Sequence, residues 1–199
     1  MAIDKFKLAE TDANRFRKLN LLRDAASSSA VAGVANAGAV VDESVGTIRT
    51  TLKLSNQVIT MTDATTAGCH GSIKLYDFPA CNLLFLGATC DLTVLAGAGG
   101  ITDTAAVVAA IGTATVSTAD ATLTTTEADL IPSTAATLTA GAGAAKGKTL
   151  TAGVVVFDGT TTAKDAYLNL AVPDAGSTGN DTLTVSGTIT LVWSNLGDV

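Results

Sequence analysis

The part of this sequence that comes closest to a known chemical motif is the glycine- and lysine-containing run from Ala142 to Thr149. It reads A-G-A-A-K-G-K-T, which matches a phosphate-binding P-loop except that Ala142 stands where the first glycine belongs. A P-loop joins a strand to a helix whose N-terminus faces the phosphates, whereas the following residues, Leu150 to Phe157, have a strand pattern. We therefore interpret the run as a flexible loop between strands, with Lys146 and Lys148 in water, and expect no bound nucleotide.

The single histidine, His70, would have to serve any Ser-His-Asp or Cys-His arrangement in this chain. It adjoins Cys69, and the other cysteines are Cys81 and Cys90, so a zinc site is the alternative. Adjacent cysteine and histidine rarely both bind one ion, and the remaining spacings match no zinc module. We expect a turn at Cys69 and His70, small buried thiols at Cys81 and Cys90, and no metal or cofactor.

Two further groups of oxygen-bearing side chains could do chemistry. The loop from Asp174 to Asp181 is rich in oxygen ligands, but it lacks the alternating acids and terminal glutamate of a calcium-binding EF-hand loop. Glu127 and Asp129 could be paired catalytic carboxylates, although their threonine-rich neighbours and Pro132 indicate an exposed turn. We interpret both segments as connections between strands, so the sequence predicts a protein that is not an enzyme.

The composition of the 199 residues fits one domain with an appendage. Hydrophobic residues make up 47% of the chain but aromatic residues only 4%, so we expect a light core. Every stretch of about 20 residues is interrupted by polar side chains or glycine, and the N-terminus lacks the apolar region of a signal peptide. We therefore expect a protein that does not cross a membrane and is assembled in a cytoplasm.

The N-terminal segment differs from the rest of the chain in charge. Six of the twelve basic residues lie within the first 23 positions, and an N-cap at Thr11 with apolar residues at three-residue spacing predicts a short amphipathic helix from Asp12 to Ala25. The uncharged, small residues from Ala26 to Ala39 read as a linker. We therefore divide the chain into an arm, residues 1–40, and a body, residues 41–199.

The arm is the predicted binding segment. Its basic residues have little interleaved aromatic content, so a protein partner is expected and a nucleic acid is not. The residues predicted to bind the partner are Lys5, Phe6, Lys7, Arg15, Phe16, Arg17, Lys18, Leu19, Leu22 and Arg23.

The body has the period-two alternation of half-buried strands. The clearest case runs from Leu183 to Trp193, with apolar residues on one face and threonine or serine on the other. One exception is Thr104 to Ile111, whose alanines predict a short helix ended by Gly112. The other predicted strands lie at 48–54, 73–76, 83–86, 92–95, 154–157 and 167–172.

Repeated short strands without long helices between them predict an all-β fold. An antiparallel jelly-roll-like β-sandwich with an N-terminal arm containing a short helix is the favoured architecture. An immunoglobulin-like sandwich is the alternative, although its Cys-Trp-Cys spacing is absent.

Several C-terminal segments resemble accessory virion proteins of tailed bacteriophages. They are D-A-T-L-T-T-T-E from Asp120, Y-L-N-L-A-V-P-D-A from Tyr167 and N-D-T-L-T-V-S-G-T-I-T-L-V-W from Asn180. The resemblance covers roughly the C-terminal half. It implies a capsid decoration or cement protein with a jelly-roll body, located on the exterior of the virion. The implied partners are the major capsid protein, bound through the N-terminal arm, and other copies of this chain, for which we predict a trimer.

Two other functions stay open at this stage. A head-fibre or receptor-binding virion protein would expose aromatic or charged sugar-binding residues in its loops. A β-sandwich hydrolase would bring several titratable groups together around His70.

Overall fold

The described part of the chain is built almost entirely from antiparallel strands. A computed structural model describes residues 37–44, 46–64, 68–116, 123–148, 155–162 and 164–197. No helix among these residues is long and apolar enough to cross a membrane. The strands are β1 (Ala37–Ser44), β2 (Thr47–Asp63), β3 (Cys69–Asp77), β4 (Asn82–Ala96), β5 (Val108–Gly112), β6 (Ile131–Ala135), β7 (Ala142–Lys148), β8 (Val155–Asp158), β9 (Asp165–Val172) and β10 (Asp181–Asn195), and short 3-10 helices occur at Thr125–Glu127 and Asp174–Gly176.

The strands pair in a nested order. β2 pairs with β10, β3 with β9, β4 with β7 and β5 with β6, all antiparallel. One long hairpin of paired strands that is rolled up produces this nesting, which defines a jelly roll. Sheet A has the order β1-β2-β10-β4, with β7 and β8 both on the far side of β4, and sheet B has the order β3-β9-β5-β6. The end of β2 also pairs with β3, at Thr62 and Asp63, so the two sheets are hydrogen-bonded to each other there. The all-β antiparallel jelly-roll-like sandwich predicted from the sequence is confirmed.

The core lies between the two sheets and is filled by rows of side chains that cross several strands. The pairing places Leu52, Ile189 and Cys90 side by side on β2, β10 and β4, and all three are buried. The alternation predicted for the last strand is confirmed. Gly187 interrupts its apolar face because a Cβ there would lie 2.1 Å from the Asp91 carbonyl oxygen. The strands approach too closely at this point for any side chain.

An aromatic cluster closes one end of the core. Trp193 is fully buried, as the sequence predicted, and its indole Nε1 donates a hydrogen bond to Thr50 Oγ1 at 3.0 Å. The rings of Phe78 and Trp193 meet edge to face with centroids 5.3 Å apart, and Tyr76 lies 5.1 Å from Phe78. The buried threonine hydroxyl therefore has a partner inside an otherwise apolar cluster, as buried polar groups require.

The helix predicted at Thr104 to Ile111 is wrong. Residues Val108–Gly112 form β5, which pairs with β9 on one side and β6 on the other. β-Branched Val107, Val108 and Ile111 suit a strand, and pairing on both edges outweighs the weak helix preference of the alanines. Gly112 does not end a helix. It is required because a Cβ there would lie 2.2 Å from the Thr126 carbonyl oxygen.

The flexible loop predicted within Ala142 to Thr149 is also wrong. Ala142–Lys148 is β7, which pairs with β4 from Leu95 to Thr89. A Cβ at Gly143 would lie 2.3 Å from the Ala136 carbonyl oxygen, so the small residues of the run allow neighbouring backbone to approach. Lys146 is exposed as predicted, whereas the side chain of Lys148 lies outside the described part.

The arm helix predicted at Asp12 to Ala25 lies outside the described residues. The backbone of β1 begins at Ala37, within the segment that the sequence assigns to the arm, and pairs with β2 from Leu54 to Thr47. The first described strand therefore joins the arm directly to the edge of sheet A.

Removal of the Trp193 ring should destabilise the body strongly. We expect Trp193→Ala to lower the free energy of unfolding by about 3 to 5 kcal/mol, because it leaves a cavity beside Phe78 and removes the hydrogen bond from the indole to Thr50. Urea unfolding followed by circular dichroism measures the loss. Trp193→Phe is the matched control and should lose less, since it keeps most of the ring volume. A loss below about 1 kcal/mol for Trp193→Ala would contradict the buried position.

Candidate interaction surface

The outer face of sheet A consists of small polar side chains in regular rows. Its residues alternate along each strand with the buried ones, so they point away from the core. One row across β2, β10 and β4 holds Thr51, Thr190 and Thr89. Such a row of threonines makes this part of the face even, because no large side chain interrupts it.

Exposed apolar side chains are concentrated on the strands of sheet A. The large hydrophobic residues that are exposed in the described part are Val58, Leu86, Leu95, Val156 and Leu196, and only Leu196 lies outside a strand of this sheet. Val58 on β2 is 53% exposed and Leu95 on β4 is 42% exposed. These two residues flank Thr184 in one row. Apolar groups gathered on one exposed face are typical of an interaction surface.

The outer face of sheet B is covered by the chain itself. Val116 and Leu123 pack on Ala110 and Ala171. Buried Asn169 donates hydrogen bonds to the carbonyl oxygens of the covering segment, at 2.9 Å to Ala114 and 2.8 Å to Glu127. One face of the sandwich is therefore closed by its own residues, which leaves sheet A as the exposed one among those described.

Sequence reasoning found the alternation of these strands but not this surface. Which outward residues become neighbours depends on the strand register, and a periodic pattern alone does not fix the register. The arm residues predicted to bind a partner lie outside the described residues, so the structure does not place them.

His70 does not sit in an assembled catalytic group within the described residues. It lies in β3 opposite Ala171, not in the predicted turn, and its buried Nδ1 has no hydrogen-bond partner in that part of the chain. A base that activates a nucleophile needs its other nitrogen held by a third group. Within the residues that the structure places, the Ser-His-Asp arrangement is therefore not formed.

The three cysteines are buried thiols without disulfides. The Sγ atom of Cys69 contacts the hydroxyl of Ser177, and the Sγ atom of Cys90 accepts a hydrogen bond from the Gly147 amide at 3.2 Å. Burial raises the pKa of both thiols, which disfavours the thiolate that a nucleophile or metal ligand needs. No group of three metal-binding side chains occurs among the described residues. Burial of Cys81 and Cys90 is as predicted.

The two candidate catalytic carboxylates, Glu127 and Asp129, accept hydrogen bonds from nearby threonines. Asp129 accepts hydrogen bonds from the Thr113 amide at 2.8 Å and from the Thr113 hydroxyl at 2.6 Å. Glu127 lies in a 3-10 turn, where it accepts a hydrogen bond from the Thr124 amide at 3.4 Å. These contacts fix the segment that covers sheet B.

The loop from Asp174 to Asp181, whose oxygen-bearing side chains suggested a calcium site as an alternative, connects two strands. Asp181 accepts hydrogen bonds from the Gly99 amide at 3.0 Å and from the Ile101 amide at 2.9 Å, while Asn180 Oδ1 accepts one from the Asp63 amide at 2.7 Å. The acidic and amide side chains hold adjacent loops together, as the sequence-based interpretation of a turn implied.

One cluster of titratable residues was missed by the sequence analysis. Asp77 and Asp165 lie directly opposite each other on β3 and β9, and Lys74 forms ion pairs with both, at 3.0 Å to Asp165. Burial raises the pKa of Asp77, whereas hydrogen bonds from Asp77, Lys74 and Tyr167 outweigh burial and lower the pKa of Asp165. The two carboxyl groups therefore titrate as a pair, with the pKa of Asp77 above and the pKa of Asp165 below the usual value, and only the pairing of the strands brings these distant positions together.

Comparisons with known proteins identify no family for this chain. No protein-family model matches it, and no curated protein matches its sequence. Similar solved structures include a chain from the structure of infectious bursal disease virus strain Gx, with 15% identity, a TM-score of 0.38, and coverage of 77% of this chain and 34% of that one. The chain also covers only 38% of a chain from particles derived from the same virus. It therefore spans little more than a third of either viral chain.

Two further solved structures are of different kinds. The capsid asymmetric unit of cyanophage Pam1 contains a chain with 14% identity and a TM-score of 0.30, with coverage of 79% of this chain and 92% of that one. The mannan-recognising carbohydrate-binding module TmCBM27 has 9% identity and a TM-score of 0.29, with coverage of 82% and 86%. Likenesses this weak carry no argument about function. The jelly-roll assignment rests on the strand pairing of the chain itself.

The partly buried carboxyl group of Asp129 should make stability depend on pH. Burial raises its pKa, so the folded state holds the proton more tightly than the unfolded chain, and the contribution of this group to stability is lost as the pH rises through the folded pKa. We expect the free energy of unfolding of Asp129→Asn, relative to the unchanged protein, to increase from about pH 3 to about pH 7. Urea titrations across this range measure the difference.

The matched control is Asp103→Asn, which changes an exposed loop carboxylate. A difference for Asp129→Asn that is the same at both ends of the range would contradict the raised pKa.

Proposed function

We propose that this protein is a structural virion protein that decorates and stabilises, or cements, a bacteriophage capsid. The observation that carries the proposal is a jelly-roll body with one face closed by its own chain and the other, the outer face of sheet A, exposed with apolar residues on it. Jelly rolls form the shells of many viruses, but the fold hosts unrelated functions, so the surface matters more than the fold.

The distribution of charge supports different roles for the arm and the body, with the arm as the segment that binds the capsid. Six basic and four acidic residues give positions 1–36 a charge of +2, and six basic and fourteen acidic residues give positions 37–199 a charge of −8, which together make the −6 of the whole chain. A basic arm with apolar residues such as Phe16, Leu19 and Leu22 suits an apolar groove on an acidic surface. We propose that this groove lies on the major capsid protein.

Self-association of the body belongs to the same proposal. Many weak contacts repeated over a shell give strong overall attachment, because binding of one copy raises the effective concentration of the next contact. The trimer predicted from the sequence is tested by none of the described contacts, and a two-fold dimer would replace it.

The alternative functions find less support in the described residues. The exposed large hydrophobic side chains there include no aromatic ring, and stacking of sugars in a receptor-binding site uses aromatic faces. The hydrolase alternative lacks the hydrogen bond that would orient His70 within the same residues.

Deletion of the arm should separate attachment from folding. We expect a protein lacking Met1–Asn36 to keep the circular dichroism spectrum of the body, because β1 and the core remain, but to lose co-sedimentation with undecorated capsids. The full-length protein should bind at low salt and bind less at high salt, since screening weakens the attraction of a basic arm.

An arm with Arg15, Arg17 and Lys18 changed to glutamine, which lowers its charge from +2 to −1, is the second variant. It should bind weakly at both salt concentrations. Equal co-sedimentation of the full-length and truncated proteins would place the docking site on the body and overturn the arm hypothesis.

A further inference from the structure

The outer face of sheet A is complementary to itself. β10 is the central strand of the face, with β2 on one side and β4 on the other. In the middle row, Lys53 on β2 and Asp91 on β4 flank Thr188 on β10. In a second row, Val58 on β2 and Leu95 on β4 flank Thr184. Opposite charges and matching apolar groups therefore stand at equivalent positions on either side of β10.

We propose that this face binds the same face of a second copy of this chain about a two-fold axis that runs along β10. Such an axis places the β2 side of one copy against the β4 side of the other at the same height. Lys53 then meets Asp91 of the second copy, and each dimer contains this ion pair twice. A homodimer is the simplest occupant of a surface whose two halves complement each other.

The charged row tolerates this arrangement. Asp91 already forms an ion pair with Lys146 of its own copy at 3.2 Å, but the two side chains are 67% and 73% exposed, so Asp91 keeps oxygen atoms free for a second cation. Residues near the axis meet their own counterparts, and the row there contains Thr188, a small neutral side chain. Lys53 of the second copy and Lys146 then share the Asp91 carboxylate, and no other like charges of the middle row meet across the axis.

Two further rows add contact. Val58 of one copy meets Leu95 of the other, again twice, so two exposed apolar side chains on each copy lose their contact with water. In the threonine row, Thr51 meets Thr89. Side chains of this size allow two sheets to pack face to face at the usual separation of about 10 Å.

Binding to a partner other than a second copy would not require Lys53 and Asp91 at equivalent positions on either side of β10. A capsid surface or a peptide could bind with any distribution of charge on the face, whereas only self-pairing requires a cation and an anion at positions related through β10. The inference does not depend on the proposed role in a virion, and it is tested on the purified full-length protein without particles.

Charge reversal provides the first test. Lys53→Asp or Asp91→Lys alone brings like charges together twice in each dimer, so each should raise the dimer dissociation constant by at least about tenfold in analytical ultracentrifugation at low salt. The double variant Lys53→Asp with Asp91→Lys restores opposite charges and should restore the dimer. Asp103→Lys, an exposed charge reversal on a loop outside the strands of sheet A, should leave the dimer unchanged.

Cross-linking provides a second test that leaves the charges intact. A cysteine at Thr188 lies on the axis, so a short bismaleimide should join two copies of Thr188→Cys covalently, while Thr137→Cys, an exposed threonine on a loop, should stay uncoupled. The three native cysteines are buried and provide a low background.

Four results would overturn the proposal. They are a monomer at micromolar concentration, a trimer in which Thr188→Cys is not cross-linked, equal cross-linking of the two cysteine variants, and a double charge variant no better associated than the single variants. Circular dichroism of every variant separates loss of association from loss of folding.

Discussion

The pairing of the long strand β2 with the last strand β10 is the interaction on which the rest of the structure depends. It joins the beginning and the end of the body over most of the length of both strands, from Ile48 with Trp193 to Met61 with Asp181. Once these strands are paired, the strands between them fold inward as successive nested pairs. Contacts so distant in sequence cost loop entropy, which the continuous apolar rows must offset.

This pairing also determines which residues the protein presents. Because β10 is central in sheet A, its buried face supplies the core and its other face forms the middle of the exposed surface. The covering segment fixed by Asn169 and Asp129 closes only sheet B. A sandwich closed on one side and exposed on the other has a single broad face available for association, and this supports a structural role more directly than any single residue does.

The sequence was sufficient to predict elements whose pattern is local. Alternation predicted the strand ending at Trp193, and the burial of that ring, because period two is a property of neighbouring residues. It failed at Thr104 to Ile111 and at Ala142 to Lys148, where alanine and glycine give little local preference and pairing with other strands decides the structure. The contact between Asp77 and Asp165, and the rows of the exposed face, depend on register between distant strands.

The central claim is that this protein acts by assembling on a particle in many copies and not by turning over a substrate. Electron microscopy of purified particles with and without the protein tests it most directly, because it counts the bound copies and shows where they lie. The account predicts jelly-roll density repeated over the whole shell, in numbers comparable to those of the capsid subunits. Density at only a few positions, such as the tips of fibres, or particles unchanged by the protein, would contradict it.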